Sequence, residues 1–269
     1  MSHDYLSDTP LLDYHAQAIQ RLVAHRGWAD LPKGAGIGAA YDFVRNEILF
    51  GYNSDDALPA SQVLASGYGQ CNTKGTLLMA LLRALGIPCR FHGFTIDKSL
   101  QRGVVPELVY PLAPRNIIHS WVEVEYEGKW LDLEGFILDQ DVLSALQAEF
   151  PDRSSLCAYG AGTECLQKPD VAWAGQSTYI QKTGINHDFG IFDNPDAFYA
   201  NHRQLTGVRG FLYRRIIRHW MNRRVAQIRK GHIPTIPGGE KGLQAGIRHS
   251  DWTRPLSPAP APRGDGRNA

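Results

Sequence analysis

The chain has 269 residues, 43% of them hydrophobic and 20% charged. That is enough apolar content for one or two packed domains and too much for a disordered or collagen-like chain. The formal net charge of +1 conceals an asymmetry: residues 1–200 carry 14 Lys and Arg against 24 Asp and Glu, whereas residues 201–269 carry 14 against 3, a split that points to internal docking of the basic part or to an anionic partner for it.

The first residues, MSHDYLSDTP, offer neither a basic n-region nor an apolar h-region, so no secretory signal is expected. The longest apolar stretch, Leu77–Ile87, is interrupted by Arg83 and is too short for a transmembrane segment. A cytoplasmic protein with reduced thiols is the expectation. The cysteines stand at 71, 89, 157 and 165 with no C-x-x-C pair, so neither a structural zinc site nor any other metal or cofactor is expected.

In chain order, Leu11, Leu12, Ala16, Ile19, Leu22 and Val23 recur at helical spacing and predict a helix over 11–28, closed by Pro32, Gly34 and Gly36. A second helix is predicted over 37–48, and SQVLAS, residues 61–66, reads as a helical turn before Gly67-Tyr68-Gly69-Gln70. The strongest helix runs from Cys71 to Leu85, with Gly86 placed as its C-terminal cap and Pro88 forbidding continuation. A strand follows over 89–96, then an irregular stretch over 97–115 with three prolines. Residues 117–126 and 129–137 form a hairpin about Glu127-Gly128, and 139–150 a short helix. Residues 1–150 thus read as a core with N-terminal helices. Residues 151–204 lack periodicity and read as an irregular extension, a candidate cover for a cleft. A long basic amphipathic helix lies within 205–231, and 232–269, ending SPAPAPRGDGRNA, read as a mostly disordered tail. The fold class expected is α+β, with a Cys-bearing helix packed on an antiparallel sheet.

Chemistry converges on three positions. Cys71 begins a helix after a glycine-flanked turn, where unpaired backbone N–H groups and the helix dipole favour a thiolate and can hold an oxyanion. A cysteine nucleophile needs an imidazole within reach, and His119 opens the first hairpin strand. The hairpin count supplies an acid. With Tyr126 opposite Lys129, Glu123 faces Asp132, Trp121 faces Glu134 and His119 faces Phe136. One face then carries His119, Trp121, Glu123, Glu125, Trp130, Asp132, Glu134 and Phe136, and the other carries Val122, Val124, Leu131 and Leu133 as core. Glu134 is the diagonal neighbour of His119, at about 7–8 Å between Cα atoms. Asp132 lies about 13 Å away along the strand and reads as a surface acid. Glu134 is favoured and Asp132 is the alternative. Gln62 and Gln70 are candidate oxyanion donors. Trp121 and Trp130 are candidates to line the cleft, or simply to pack.

GYGQC ending at Cys71, LLMALLRALGIPCRF, HSWVEV from His119 and GKWLDLE ending at Glu134 together resemble the core of the transglutaminase-like superfamily, over about residues 36–138. The resemblance implies a papain-related fold with a Cys–His–acid triad at Cys71, His119 and Glu134. Glu stands here where the family more often has Asp. It also implies a cysteine-dependent acyl-transfer enzyme, a peptidase, amidase or transglutaminase, acting on a peptide or amide substrate through a thioester, with hydrolysis the simpler outcome in water. Since members without activity also exist, a catalytically silent scaffold is the alternative.

Two weaker signals complete the reading. His187, Asp188, Asp193, Asp196 and His202 could supply metal ligands, but their Gly and Pro neighbours favour turns and caps. In the basic helix, Tyr213, Ile216, Ile217, Trp220, Met221, Val225 and Ile228 fall on one half, which is expected to dock on the protein. Arg214, Arg215, Arg218 and Arg229 on the other half are expected to be solvated or to meet acids of the first 200 residues; alternatively, Arg214, Arg215 and Arg218 are candidates to contact a protein or an anionic surface.

Overall fold

The structure, a computed structural model, describes residues 4–204 and 206–237. The expected disordered tail lies outside the described residues from 238 onward. The elements are α1 (Gln17–His25), α2 (Lys33–Asn46), β1 (Leu49–Phe50), α3 (Ala60–Ser66), β2 (Tyr68–Gly69), α4 (Cys71–Ala84), β3 (Cys89–Asp97), β4 (Asn116–Tyr126), β5 (Lys129–Leu133), α5 (Gln140–Glu149), β6 (Leu156–Ala158), β7 (Ala161–Thr163), β8 (Ile185–Phe192), α6 (Pro195–Tyr199), α7 (Gly207–Leu212) and α8 (Arg218–Arg229).

The α+β architecture centres on α4. Every residue from Cys71 to Arg83 is buried, which makes it a helix enclosed on all sides rather than an amphipathic surface helix. Gly86 takes a left-handed conformation, φ 68°, and ends the helix as its position predicts. The four-stranded antiparallel sheet has the order β5-β4-β3-β8. Val122, Val124 and Leu133 point into the main core shared with α4, while Phe94, Ile96 and Trp121 form a second, smaller cluster on the other face with Leu100, Cys157 and Ile185.

The hairpin register is the one counted from the sequence: Tyr126 pairs with Lys129 and Glu123 with Asp132. Glu127 and Gly128 both have positive φ, the turn that matches strand twist. The second strand is shorter than expected and stops at Leu133. Beyond it the chain bends at Gly135, where a Cβ would stand 2.6 Å from the Tyr41 hydroxyl and 2.8 Å from the Val171 backbone. Phe136 therefore leaves the face opposite His119 and packs edge-on against Tyr41.

Two further differences have physical causes. Helix α2 starts at Lys33, so the glycines expected to end the preceding unit lie inside it. Gly34 is one of them, where an added Cβ would meet the Tyr126 hydroxyl at 2.6 Å; close packing overrides the low helix propensity of glycine. Residues 151–204 hold a short hairpin and β8, which pairs with β3 and completes the central sheet. Its exposure pattern is irregular and its pairing carries two register shifts, which explains why no period-2 alternation announces it.

On the outer face of the sheet His92 is held at both ring nitrogens, Nδ1 at 2.6 Å from Glu123 Oε1 and Nε2 at 2.9 Å from Asp188 Oδ1. Burial opposes its charge, but the two carboxylates prevail and raise the imidazole to about 9. A raised imidazole stabilises the fold fully below its ordinary value of 6.5 and loses that contribution as pH climbs through the raised one. Stability in urea is accordingly expected to fall between pH 6.5 and about 9. His92→Gln should reduce that fall. A His92→Gln midpoint that falls as steeply over this range as the wild type's contradicts this account.

Candidate active site

Cys71 is the first residue of α4 and is 8% exposed. The preceding residue, Gln70, donates its backbone N–H to the Thr73 hydroxyl at 3.1 Å, which fixes the entry into the helix. The Cys71 thiol faces Asn72 Oδ1 at 3.6 Å. Asn72 in turn is bound on all sides: Ser120 donates to its Oδ1 at 2.9 Å, and its Nδ2 donates to Asp56 Oδ1 at 2.9 Å and to the Ile118 carbonyl at 3.2 Å.

Those contacts explain how the helix N-terminus is tied to the sheet. Strand β5 pairs with residues 122–126 of β4 and leaves residues 116–121 paired with β3 alone. At this free flank the Ile118 carbonyl accepts from Asn72 and the Ile118 N–H donates to Gln204 Oε1 at 2.9 Å. Side chains thus satisfy the groups that a further strand would have paired.

His119 and Glu134 are both fully buried, and His119 Nε2 lies 2.7 Å from Glu134 Oε1. The other carboxylate oxygen accepts two backbone N–H groups, from Ile180 and Gln181, each at 2.9 Å. The second ring nitrogen, Nδ1, has no hydrogen-bond partner among the described residues, and the Cys71 sulfur lies near enough to act on the charge of the ring. Burial opposes protonation of the ring, but the Cys71 sulfur, followed by Glu134, raises the imidazole to about 10. An imidazolium between a sulfur and a carboxylate is the arrangement that activates a thiol nucleophile.

The structure brings Cys71, His119 and Glu134 together, and it separates the other candidates. Asp132 points elsewhere: its carboxylate accepts from the Tyr179 hydroxyl and its N–H donates to Ser177 at 3.0 Å. It is half-buried rather than a free surface acid, and burial pushes its pKa up. Gln62 is exposed on α3 and does not line the pocket at Cys71. Gln70 does line it, but its amide is engaged: Nε2 donates to Asp56 at 2.9 Å and Oε1 accepts from Asn53 N–H at 2.9 Å. Neither tryptophan lines the pocket. Trp121 packs against Phe94 in the small cluster, and Trp130 lies beneath the Arg90 guanidinium at the far end of the hairpin. Cleft-facing positions cannot be told from buried ones by strand alternation alone, because both faces of this sheet are covered.

Several site residues escaped the sequence reading. Asn72 was hidden inside a strong helical pattern. Asp56, lodged between Gln70 and Asn72, has a pKa pushed up by burial; it stood in a polar loop with no local pattern. Ile180 and Gln181 lie in the stretch without periodicity. The walls of the pocket come largely from the segment between β3 and β4 and from the C-terminal helices. There Tyr213–Ile217 form a π-helical turn between α7 and α8, an irregularity frequent at functional sites. Tyr213, Ile217 and Met221 line the pocket, and Val225 and Ile228 are buried. Ile216 and Trp220, expected to dock with them, sit at the edge of that stripe and remain 42% and 46% exposed. Arg229 answers an acid of its own chain, Asp139, at 2.7 Å. Among the described residues no three His, Cys, Asp or Glu form a group able to hold a metal ion, and no helix is long and apolar enough to cross a membrane.

Residues 21–135 match the family described as the transglutaminase-like superfamily. That span, less than half of the chain, contains Cys71, His119 and Glu134, and the match supports a cysteine-dependent enzyme in general. No curated protein matches the chain. Among solved structures, the crystal structure of a candidate cysteine protease from Cytophaga hutchinsonii aligns at a TM-score of 0.41 and 13% identity, over 71% of this chain and 47% of that one, so the chain spans about half of that protein.

If Glu134 compensates His119 in the interior, removing its charge strands a buried imidazolium. Glu134→Gln is expected to cost about 3–5 kcal/mol in urea unfolding at pH 7. Asp132→Asn, which leaves the pair intact, should cost about 1.5 kcal/mol. Equal losses would contradict the assignment of Glu134 as the partner of His119.

Proposed function

We propose that the chain is a cysteine-dependent acyl-transfer enzyme that cleaves a peptide or amide bond through a thioester, with water as the second acceptor. The observation that supports this most is the buried His119 imidazole, bonded to Glu134 through Nε2 and raised to about 10 by burial-opposing contacts to Cys71 and Glu134.

Cys71 Sγ attacks the carbonyl carbon, a C–S bond forms, and the carbonyl oxygen takes the negative charge. Backbone N–H groups at the start of α4 stabilise that oxyanion. His119 then gives its proton to the amine nitrogen as the C–N bond breaks, which leaves the thioester. In the second half His119 removes a proton from water, the hydroxyl oxygen adds to the thioester carbon, and Cys71 departs with its electron pair. Glu134 keeps the ring oriented throughout and balances its charge. An acceptor amine in place of water would make the same steps a crosslinking reaction.

A catalytically silent scaffold that binds a partner through Arg214, Arg215 and Arg218 is the second reading. These arginines make no ion pair among the described residues, and Val208, Phe211 and Trp220 on the same helices are 83%, 59% and 46% exposed. Exposed apolar groups of this kind mark contact surfaces.

Fluorescent casein as the amide and dansylcadaverine as a competing amine separate these readings. The wild type is expected to release peptides, Cys71→Ala to fall to background, and His119→Asn to lose about 10²–10⁴-fold in rate while retaining the wild-type circular dichroism. Peptide release that survives Cys71→Ala overturns the proposal. Dansyl incorporation that exceeds peptide release overturns its choice of water.

A further inference from the structure

Cys71 opens on a cavity of about 220 Å³, and the composition of its walls restricts what a substrate can carry. Leu100, Val105, Val109 and Ile117 contribute from the segment between β3 and β4 and its flanks, and Leu212 and Ile217 from the C-terminal helices. The polar groups of the lining are largely spent on the protein. Gln204 bonds to the Ile118 N–H and donates to the Asn116 carbonyl, and Gln181 donates to the Gly160 carbonyl. Gln70 and Asn72 both donate to Asp56, and Arg209, the other charged member, is exposed to solvent. What remains for a ligand is apolar surface and the hydrophobic effect.

The apolar surface also continues outward. Leu112 and Leu212 line the cavity and are 70% and 38% exposed, and Phe211, next to Leu212 in sequence, is 59% exposed. A track from an enclosed cavity to an open apolar rim fits an extended group better than a compact polar one.

Resting on the reading of Cys71 as the nucleophile, we infer that this cavity is a specificity site for amides that carry a long apolar substituent next to the reacting carbonyl, an acyl chain or a large apolar side chain. The C-terminal helices, outside the span matched to the superfamily, then set which substrate the thiol meets.

2-Iodoalkanamides with methyl, butyl and hexyl tails on the iodinated carbon, the carbon next to the carbonyl, test this directly. Alkylation of Cys71 and of Cys165 is read by mass spectrometry in the same digest. Cys165 is exposed and free and calibrates the intrinsic reactivity of each reagent. Each methylene buried in the cavity favours reaction about fourfold, so the Cys71-to-Cys165 rate ratio is expected to rise by at least about tenfold from methyl to butyl. A tail ending in a carboxylate should cancel the rise, and Leu212→Asp should bring the butyl ratio back toward the methyl value. A ratio independent of tail length, with Cys71 still reacting, overturns the inference and leaves the nucleophile reading intact. Chain-length dependence that persists in Leu212→Asp overturns the role given to the C-terminal helices. Failure of Cys71 to react with iodoacetamide itself overturns the nucleophile reading and the inference with it.

Discussion

An imidazole and a carboxylate without access to solvent are the constraint around which this fold is arranged. Burying either charge alone is costly, and the pair is tolerated only if each remaining lone pair and proton is also met. His119 Nε2 meets Glu134 Oε1, and Glu134 Oε2 is met by two backbone N–H groups from Ile180 and Gln181. Those donors stand where they do because Thr178 bridges to Leu133 and because Tyr41 on α2 donates to the Val171 carbonyl. Strand β5 ends in time for Glu134 to turn inward, and Gly135 makes room for the Tyr41 hydroxyl. Segments distant in sequence are therefore recruited to satisfy one buried acid.

That dependence also marks how far the sequence could be read. The Cys71 helix was legible because apolar periodicity, a flanking glycine turn and a glycine cap all agree over fourteen residues. The hairpin register was legible because Glu127-Gly128 fixes the pairing, and the register alone separated Glu134 from Asp132. Once the two faces of the sheet were both covered, alternation lost its meaning: Trp121 on the chemical face is as buried as Val122 on the other is apolar. The donors to Glu134 and the cavity walls were not legible, since they come from long-range contacts of loops whose local sequence has no period.

The charge asymmetry acquires a structural form. The acidic portion holds the site, and the basic portion supplies helices that pack across it, with Arg229 bound to Asp139 and Tyr213 donating to the Asn53 carbonyl at 3.1 Å. Only part of the basic run is consumed in this way. Arg214, Arg215 and Arg218 keep their charge for solvent or for a partner, on helices whose inner face lines the pocket at Cys71. Closing a cleft and presenting a surface thus fall to opposite faces of the same helices, a division that a single hydrophobic stripe would not have suggested.

The protonation of His119 tests the central claim most directly. With ¹³C-labelled histidine, its ring carbons report the titration in solution independently of any substrate. The account predicts that His119 remains an imidazolium well above neutral pH, titrating near the raised value of about 10, and that Cys71→Ala and Glu134→Gln each lower that value. A His119 ring that titrates near or below 6.5 and is indifferent to loss of the Cys71 sulfur would contradict it.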